Sequence, residues 1–114
     1  MHEMSLAQGI LEILEEAARR ERTSRVTSVW LELGALSAVD PEAIAFCFEA
    51  VARGTVADGA RLNIEIIPGR AMCLHCGESV PMARRDDACP LCGRYQMRVA
   101  DGEQMRVREL EVEA

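Results

Sequence analysis

The chain has 114 residues, 49% of them hydrophobic, enough for one domain of ordinary size or two small lobes. Its formal charge is −6, with thirteen arginines and no lysine, and a net acidic protein is a poor general binder of phosphate backbone. No apolar run is long enough to span a bilayer and no secretory signal is recognisable, so a cytoplasmic protein with reduced thiols, no membrane role and no nucleic-acid partner is expected.

The first predicted element is a helix over residues 4–22. Leu6, Ile10, Ile13, Leu14 and Ala17 recur at intervals of three or four and share one face. Glu12, Glu15 and Glu16 precede Arg19, Arg20 and Arg22, an order that suits the helix dipole, and Ser5 is a candidate cap. Residues 26–33 alternate: Val29, Leu31 and Leu33 face one way, Ser28, Trp30 and Glu32 the other. Gly34 ends that strand.

Asp40 followed by Pro41 and Glu42 marks the start of a second helix, with Ile44, Cys47, Phe48 and Val51 as its buried stripe and Gly54 as its stop. Cys47, alone on that stripe, reads as a small core hydrophobe. A second strand alternates Leu62, Ile64 and Ile66 with Asn63, Glu65 and Ile67 until Pro68 and Gly69 break it. A last strand covers residues 104–113. Its apolar parity switches from Met105 and Val107 to Leu110 and Val112, which predicts a β-bulge near Arg108 and Glu109.

Between these strands lie two like knuckles, Cys73-Leu74-His75-Cys76-Gly77 and Cys89-Pro90-Leu91-Cys92-Gly93. Two residues between cysteines let both sulfurs of a turn point at one ion, and the following glycine accepts φ > 0. Two such turns read as a tetrathiolate Zn²⁺ clip, with Cys73, Cys76, Cys89 and Cys92 as ligands. All four positions are filled by protein thiolates, so the zinc is structural. A segment of this size cannot hold a fold on buried apolar surface alone, and zinc binding supplies on the order of 10 kcal/mol to such modules. The rival readings are a rubredoxin-like Fe–S₄ centre and a basic nucleic-acid finger. His75 reads as a bystander, because Leu91 holds the matching place in the second knuckle.

The last strand is too apolar to stand without a sheet partner, so the clip reads as an insertion. The expected fold class is α+β: two helices packed on a small mixed three-stranded sheet, with an inserted Cys₄ zinc ribbon. The corresponding domains are 1–68 with 99–114, and 69–98. Pro68-Gly69 and the stretch near Ala100 and Gly102 are candidate hinges.

The start, Met1-His2-Glu3, holds a second ligand set. The Met1 amine, the His2 backbone nitrogen and the His2 imidazole can chelate one ion through fused small rings. Such planar, nitrogen-rich ligation suits Ni²⁺ or Cu²⁺. The fourth place falls to the Glu3 backbone nitrogen or a carboxylate. A frayed terminus with a chance histidine is the plain alternative.

These residues together resemble the HypA/HybF family of hydrogenase-maturation nickel metallochaperones. The resemblance runs nearly end to end: Met1-His2-Glu3 and Ser5 at the first helix, the run from Leu31 to Ser37, Asp40-Pro41, the stretch Phe46 to Glu49, both cysteine pairs, and Met105-Arg106-Val107. It implies a carrier that takes Ni²⁺ at His2 with Met1 and Glu3. The implied partners are a HypB-type GTPase and the large subunit of a [NiFe] hydrogenase, with a homodimer left open. It also puts Asp40 where an accessory metal contact has been considered, although a helix cap before Pro41 is the favoured role. No enzymatic activity is expected: no Ser/His/Asp set, phosphate loop or dinucleotide fingerprint occurs. The alternative function is a zinc-ribbon adaptor for protein or nucleic acid without a nickel role.

Overall fold

The computed structural model describes residues 2–113. Its elements run α1 (Glu3–Glu21), β1 (Val26–Gly34), α2 (Pro41–Ala52), β2 (Arg61–Ile67), β3 (Arg70–Cys73), β4 (Ser79–Pro81), β5 (Met97–Asp101) and β6 (Met105–Val112). They form two three-stranded sheets, ordered β2-β1-β6 and β4-β3-β5. The backbone clusters into two compact units: residues 2–31, 39–65 and 106–113, and residues 32–38 with 66–105.

In the helical unit, α1 packs on α2. Ala7, Ile10, Leu11, Leu14, Ala17 and Ala18 are buried on α1, and Ile44, Cys47, Phe48 and Ala52 on α2. Ile13 departs from the predicted stripe: it is 50% exposed, because Leu11 and Ala18 shift the centre of the buried face away from it. Ser5 is not the cap either. His2 holds the N-cap position, with no side-chain hydrogen bond to the helix, and Ser5 lies within the first turn. The C-terminus of α1 closes on Arg22 in the left-handed region, its N–H donating to the Ala18 and Arg19 carbonyls. Asp40 caps α2 as expected, its Oδ1 accepting from the Glu42 N–H at 3.1 Å.

Val29, Leu31 and Leu33 of β1 are buried, whereas Ser28, Trp30 and Glu32 are half-exposed, as the alternation requires; Val26, on the polar parity, is buried as well at the start of the strand. The edge strand β2 buries no residue fully, so its alternation is softened. The strand after the cysteines returns to pair with β1, which makes the β3–β5 segment an insertion. Thr27 donates to the Glu111 carbonyl at 3.2 Å, and the Glu113 N–H donates to the Arg25 carbonyl at 3.0 Å. Arg108 reaches across the central strand to Glu65 at 2.7 Å. Arg108 and Glu109 are consecutive exposed residues, the parity step read from the sequence.

The ribbon unit is built on β3, antiparallel to both β4 and β5. A register shift between Arg70 and Ala71, which no sequence pattern announced, bends the β3–β5 ladder. Leu36, Ala71 and Met82 form one buried cluster, and Cys73, Val80 and Cys89 another; Met97 packs on both. At the root of the unit, three glycines cross backbone to backbone. A Cβ on Gly34 would lie 2.0 Å from the Gly102 carbonyl oxygen, and one on Gly102 (φ +95°) would lie 2.6 Å from the Gly69 Cα. The links read as hinges therefore pack against one another. The Met82 N–H donates to Gly69, and the Leu36 N–H to Gly102.

Candidate metal centre

Each knuckle repeats one local design. The Gly77 N–H donates to the Cys73 carbonyl at 2.9 Å, and the Gly93 N–H to the Cys89 carbonyl at 2.8 Å. The Cys73 N–H donates to the Glu78 carbonyl at 3.0 Å, and the Cys89 N–H to the Arg94 carbonyl at 2.8 Å. Closing these turns needs a left-handed residue, and Gly77 (φ +77°) and Gly93 (φ +76°) provide it. The turns aim backbone donors at sulfur. The Cys76 N–H meets the Cys73 Sγ at 3.5 Å, and the amides of Glu78 and Arg94 serve the sulfurs of Cys76 and Cys92. Sequence spacing indicates such turns but does not identify these last two donors, since the residue after each glycine acts only through its backbone.

The four Sγ atoms all lie within 4.8 Å of one another. Cys73 and Cys92 are 3.6 Å apart, Cys76 and Cys89 3.9 Å. A tetrahedron of sulfurs at about 2.3 Å from a zinc ion has edges of about 3.8 Å. A disulfide needs about 2.05 Å, so these are thiols spaced for an ion. The donor set thus fits a closed, tetrahedral, thiophilic metal. Cys73 and Cys89 are buried, while Cys76 and Cys92 lie at the surface.

The sulfurs differ electrostatically. The Cys76 amide pulls the Cys73 thiol down to about 6, against the opposing effect of burial and with help from the His75 amide and the thiols of Cys76 and Cys92. On Cys76 the Glu78 amide acts downward, yet burial and the neighbouring Cys73, Cys89 and Cys92 prevail and push it up to about 11. Cys92 is raised likewise: the Arg94 amide is outweighed by burial and by Cys73 and Cys89. One thiolate forms readily and raises its neighbours; a divalent cation lets all ionise together.

Among the described residues, the cysteine quartet is the only cluster of three or more metal-ligating side chains. His75 stands outside it, exposed. Met1 lies outside the described residues. His2 is exposed at the start of α1, with φ −100° and ψ −1°, and its carbonyl accepts the Leu6 N–H at 2.9 Å. Glu3 follows in the first turn, half-buried. Among the described residues, no helix is long and apolar enough to cross a membrane.

Comparison with known proteins agrees with this arrangement. The chain is 58% identical over 113 residues to the hydrogenase maturation factor HypA of Albidiferax ferrireducens, covering 99% of this chain and 100% of that one. It is 54% identical to that of Azotobacter vinelandii over the same shares. The solution structure of the Ni metallochaperone HypA from Helicobacter pylori matches with a TM-score of 0.72 at 25% identity, covering 98% of this chain and 97% of that one. The model of the family described as hydrogenase/urease nickel incorporation, metallochaperone, HypA, matches residues 1–112, and the chain belongs to that family.

Proposed function

We propose that this protein carries Ni²⁺ at its N-terminus and delivers it for maturation of [NiFe] hydrogenase, while Cys73, Cys76, Cys89 and Cys92 hold a structural Zn²⁺. The nickel ligands in this reading are the Met1 amine, the His2 imidazole and backbone nitrogen, and Glu3. The functional division is a nickel-binding domain, 1–68 with 99–114, and a zinc ribbon, 69–98. The working partners are a HypB-type GTPase and the hydrogenase large subunit, in the cytoplasm, with the carrier itself free or as a homodimer. The protein performs no catalysis.

One observation carries the reading. His2 occupies the cap position of α1, yet its side chain makes no hydrogen bond to the helix, and the first backbone bond runs from Leu6. The amide of Glu3 therefore has no intrahelical acceptor. An amide must lose its proton to bind a metal, which is easiest where the N–H is unclaimed. The positive end of the helix dipole opposes the cation but stabilises the amidate that holds it. An exposed terminal chelate also suits an ion that has to be handed on.

Nickel titration of untagged, zinc-loaded protein, followed by its ligand-field bands, tests this. One Ni²⁺ per chain is expected, lost in His2→Ala with zinc content unchanged. Acetylation of the Met1 amine should have the same effect. Nickel binding that survives both changes would leave a zinc-ribbon adaptor as the better reading.

A further inference from the structure

The ribbon carries five arginines over residues 70–98, and they fall into two groups. Arg70 donates to the Ser79 hydroxyl and carbonyl, Arg84 approaches Asp86 at 3.8 Å, and Arg85 pairs with Glu103. Arg94 and Arg98 have exposed side chains and, among the described residues, no hydrogen-bond or ion-pair partner.

Arg94 adjoins Tyr95 in sequence and shares a shallow cleft with Leu74, while Arg98 lies two residues beyond Gln96 and pairs in register with Met72, two residues before Leu74. Tyr95 and Leu74 are among the most exposed apolar residues of this unit. Tyr95 is 72% exposed, Leu91 65% and Leu74 58%. Leu74 and Leu91 each sit inside a CxxC turn, and the Leu74 N–H donates to the Gln96 carbonyl at 2.8 Å, which binds the first knuckle to the segment carrying Arg94 and Tyr95. Leu74, His75, Arg94 and Gln96 line a shallow cleft of about 200 Å³. Shielding the metal does not explain these leucines, because Cys76 and Cys92 are themselves at the surface. Nor do they serve the ribbon core, which Val80, Met82 and Met97 fill. Large apolar groups left in water beside free guanidinium groups mark an interaction surface.

We propose that the knuckle tips, Leu74, Leu91 and Tyr95 with Arg94 and Arg98, dock an acidic segment of a partner protein that also presents apolar side chains. Charge complementarity selects this occupant. The patch carries the two guanidinium groups of Arg94 and Arg98 against the single carboxylate of Glu78 in the first knuckle, so its net charge is positive and its complement anionic. The exposed aliphatic pair requires apolar partners as well, which a phosphate backbone lacks, and the chain's overall charge of −6 repels nucleic acid at long range. Guanidinium forks bind carboxylates in pairs, and the cleft beside Arg94 is of a size for one carboxylate side chain. The inference goes beyond nickel carriage and does not depend on it.

The test uses full-length, zinc-loaded protein and a short fluorescent peptide alternating glutamate with leucine and phenylalanine. Expected is saturable binding, with amide shifts confined to residues 74–78 and 91–98, and a loss of at least about tenfold in affinity in Arg94→Glu and in Leu91→Ser. Arg84→Glu, which removes an equal charge elsewhere on the ribbon, should leave affinity within about twofold. His2→Ala should bind the peptide like the parent, so failure here is separable from failure of the nickel reading. Unchanged zinc stoichiometry shows that the variants are folded. The proposal is overturned if the peptide does not bind, if a glutamate–serine peptide binds as well, if Arg84→Glu matches Arg94→Glu, or if a single-stranded oligonucleotide or a second copy of the chain occupies the patch instead.

Discussion

The helical unit fills its interior with Ile10, Leu14, Ile44 and Phe48, whereas the ribbon unit has two clusters of three buried residues, one of which contains Cys73 and Cys89. The first unit is closed by ordinary apolar burial between two helices and a sheet. In the second, two of the four candidate metal ligands are themselves core residues, so the chemistry of the site and the packing of the fold are the same atoms. Each unit should therefore fail in its own way.

Metal removal is the largest expected effect. Chelation, or Cys89→Ser, should unfold the ribbon with a loss on the order of 10 kcal/mol of metal-linked stability, while α1 and α2 stay folded. Hydrogen exchange measured residue by residue checks this; protection persisting over residues 70–99 in the metal-free protein would mean that apolar burial suffices there after all. Conversely, Leu14→Ala, at a fully buried site in the helical unit, should cost about 3 kcal/mol in urea denaturation and leave zinc stoichiometry unchanged.

Proton linkage separates the units further. Cys76 and Cys92 are raised, so both carry protons at neutral pH and zinc must displace them. Zinc affinity should therefore rise by at least about a hundredfold per pH unit near neutrality, since the protons of these two thiols, at the least, leave as the ion binds. The slope should steepen below pH about 6, where Cys73 also begins to hold its proton. Competition titrations across pH measure it; a slope near zero would contradict the raised thiols.

Smaller effects concern backbone and caps. Gly102→Ala places a Cβ against Gly69 at φ +95°, and should cost about 2 kcal/mol. Asp40→Ala should cost about 1 kcal/mol by removing the cap on Glu42, whereas Asp40→Asn should be nearly neutral. If Asp40→Asn instead weakened nickel binding with stability intact, Asp40 would be a metal contact in addition to a cap.

Much of this was legible in the residues. The glycine after each cysteine pair announced the knuckles, because few other residues accept φ near +77°. Asp40-Pro41 announced the second helix through the capping chemistry that the structure displays. Ile13 was misplaced because helical spacing allows more than one stripe, and only the packing of α1 on α2 selects which is buried. His2 took the cap in place of Ser5 because the helix begins at Glu3, three residues before its apolar stripe opens at Leu6.

Local chemistry, then, was decided by the chain itself: turn glycines, thiol pairs and alternating strands act over a few residues, and their spacing is written in order. What tertiary structure alone decided was long-range. It grouped residues 32–38 with the ribbon unit, crossed Gly34, Gly69 and Gly102 backbone to backbone, and split five similar arginines into paired and unpaired. Such outcomes depend on which distant segments meet, and a one-dimensional pattern does not specify which neighbour a side chain finds across the fold.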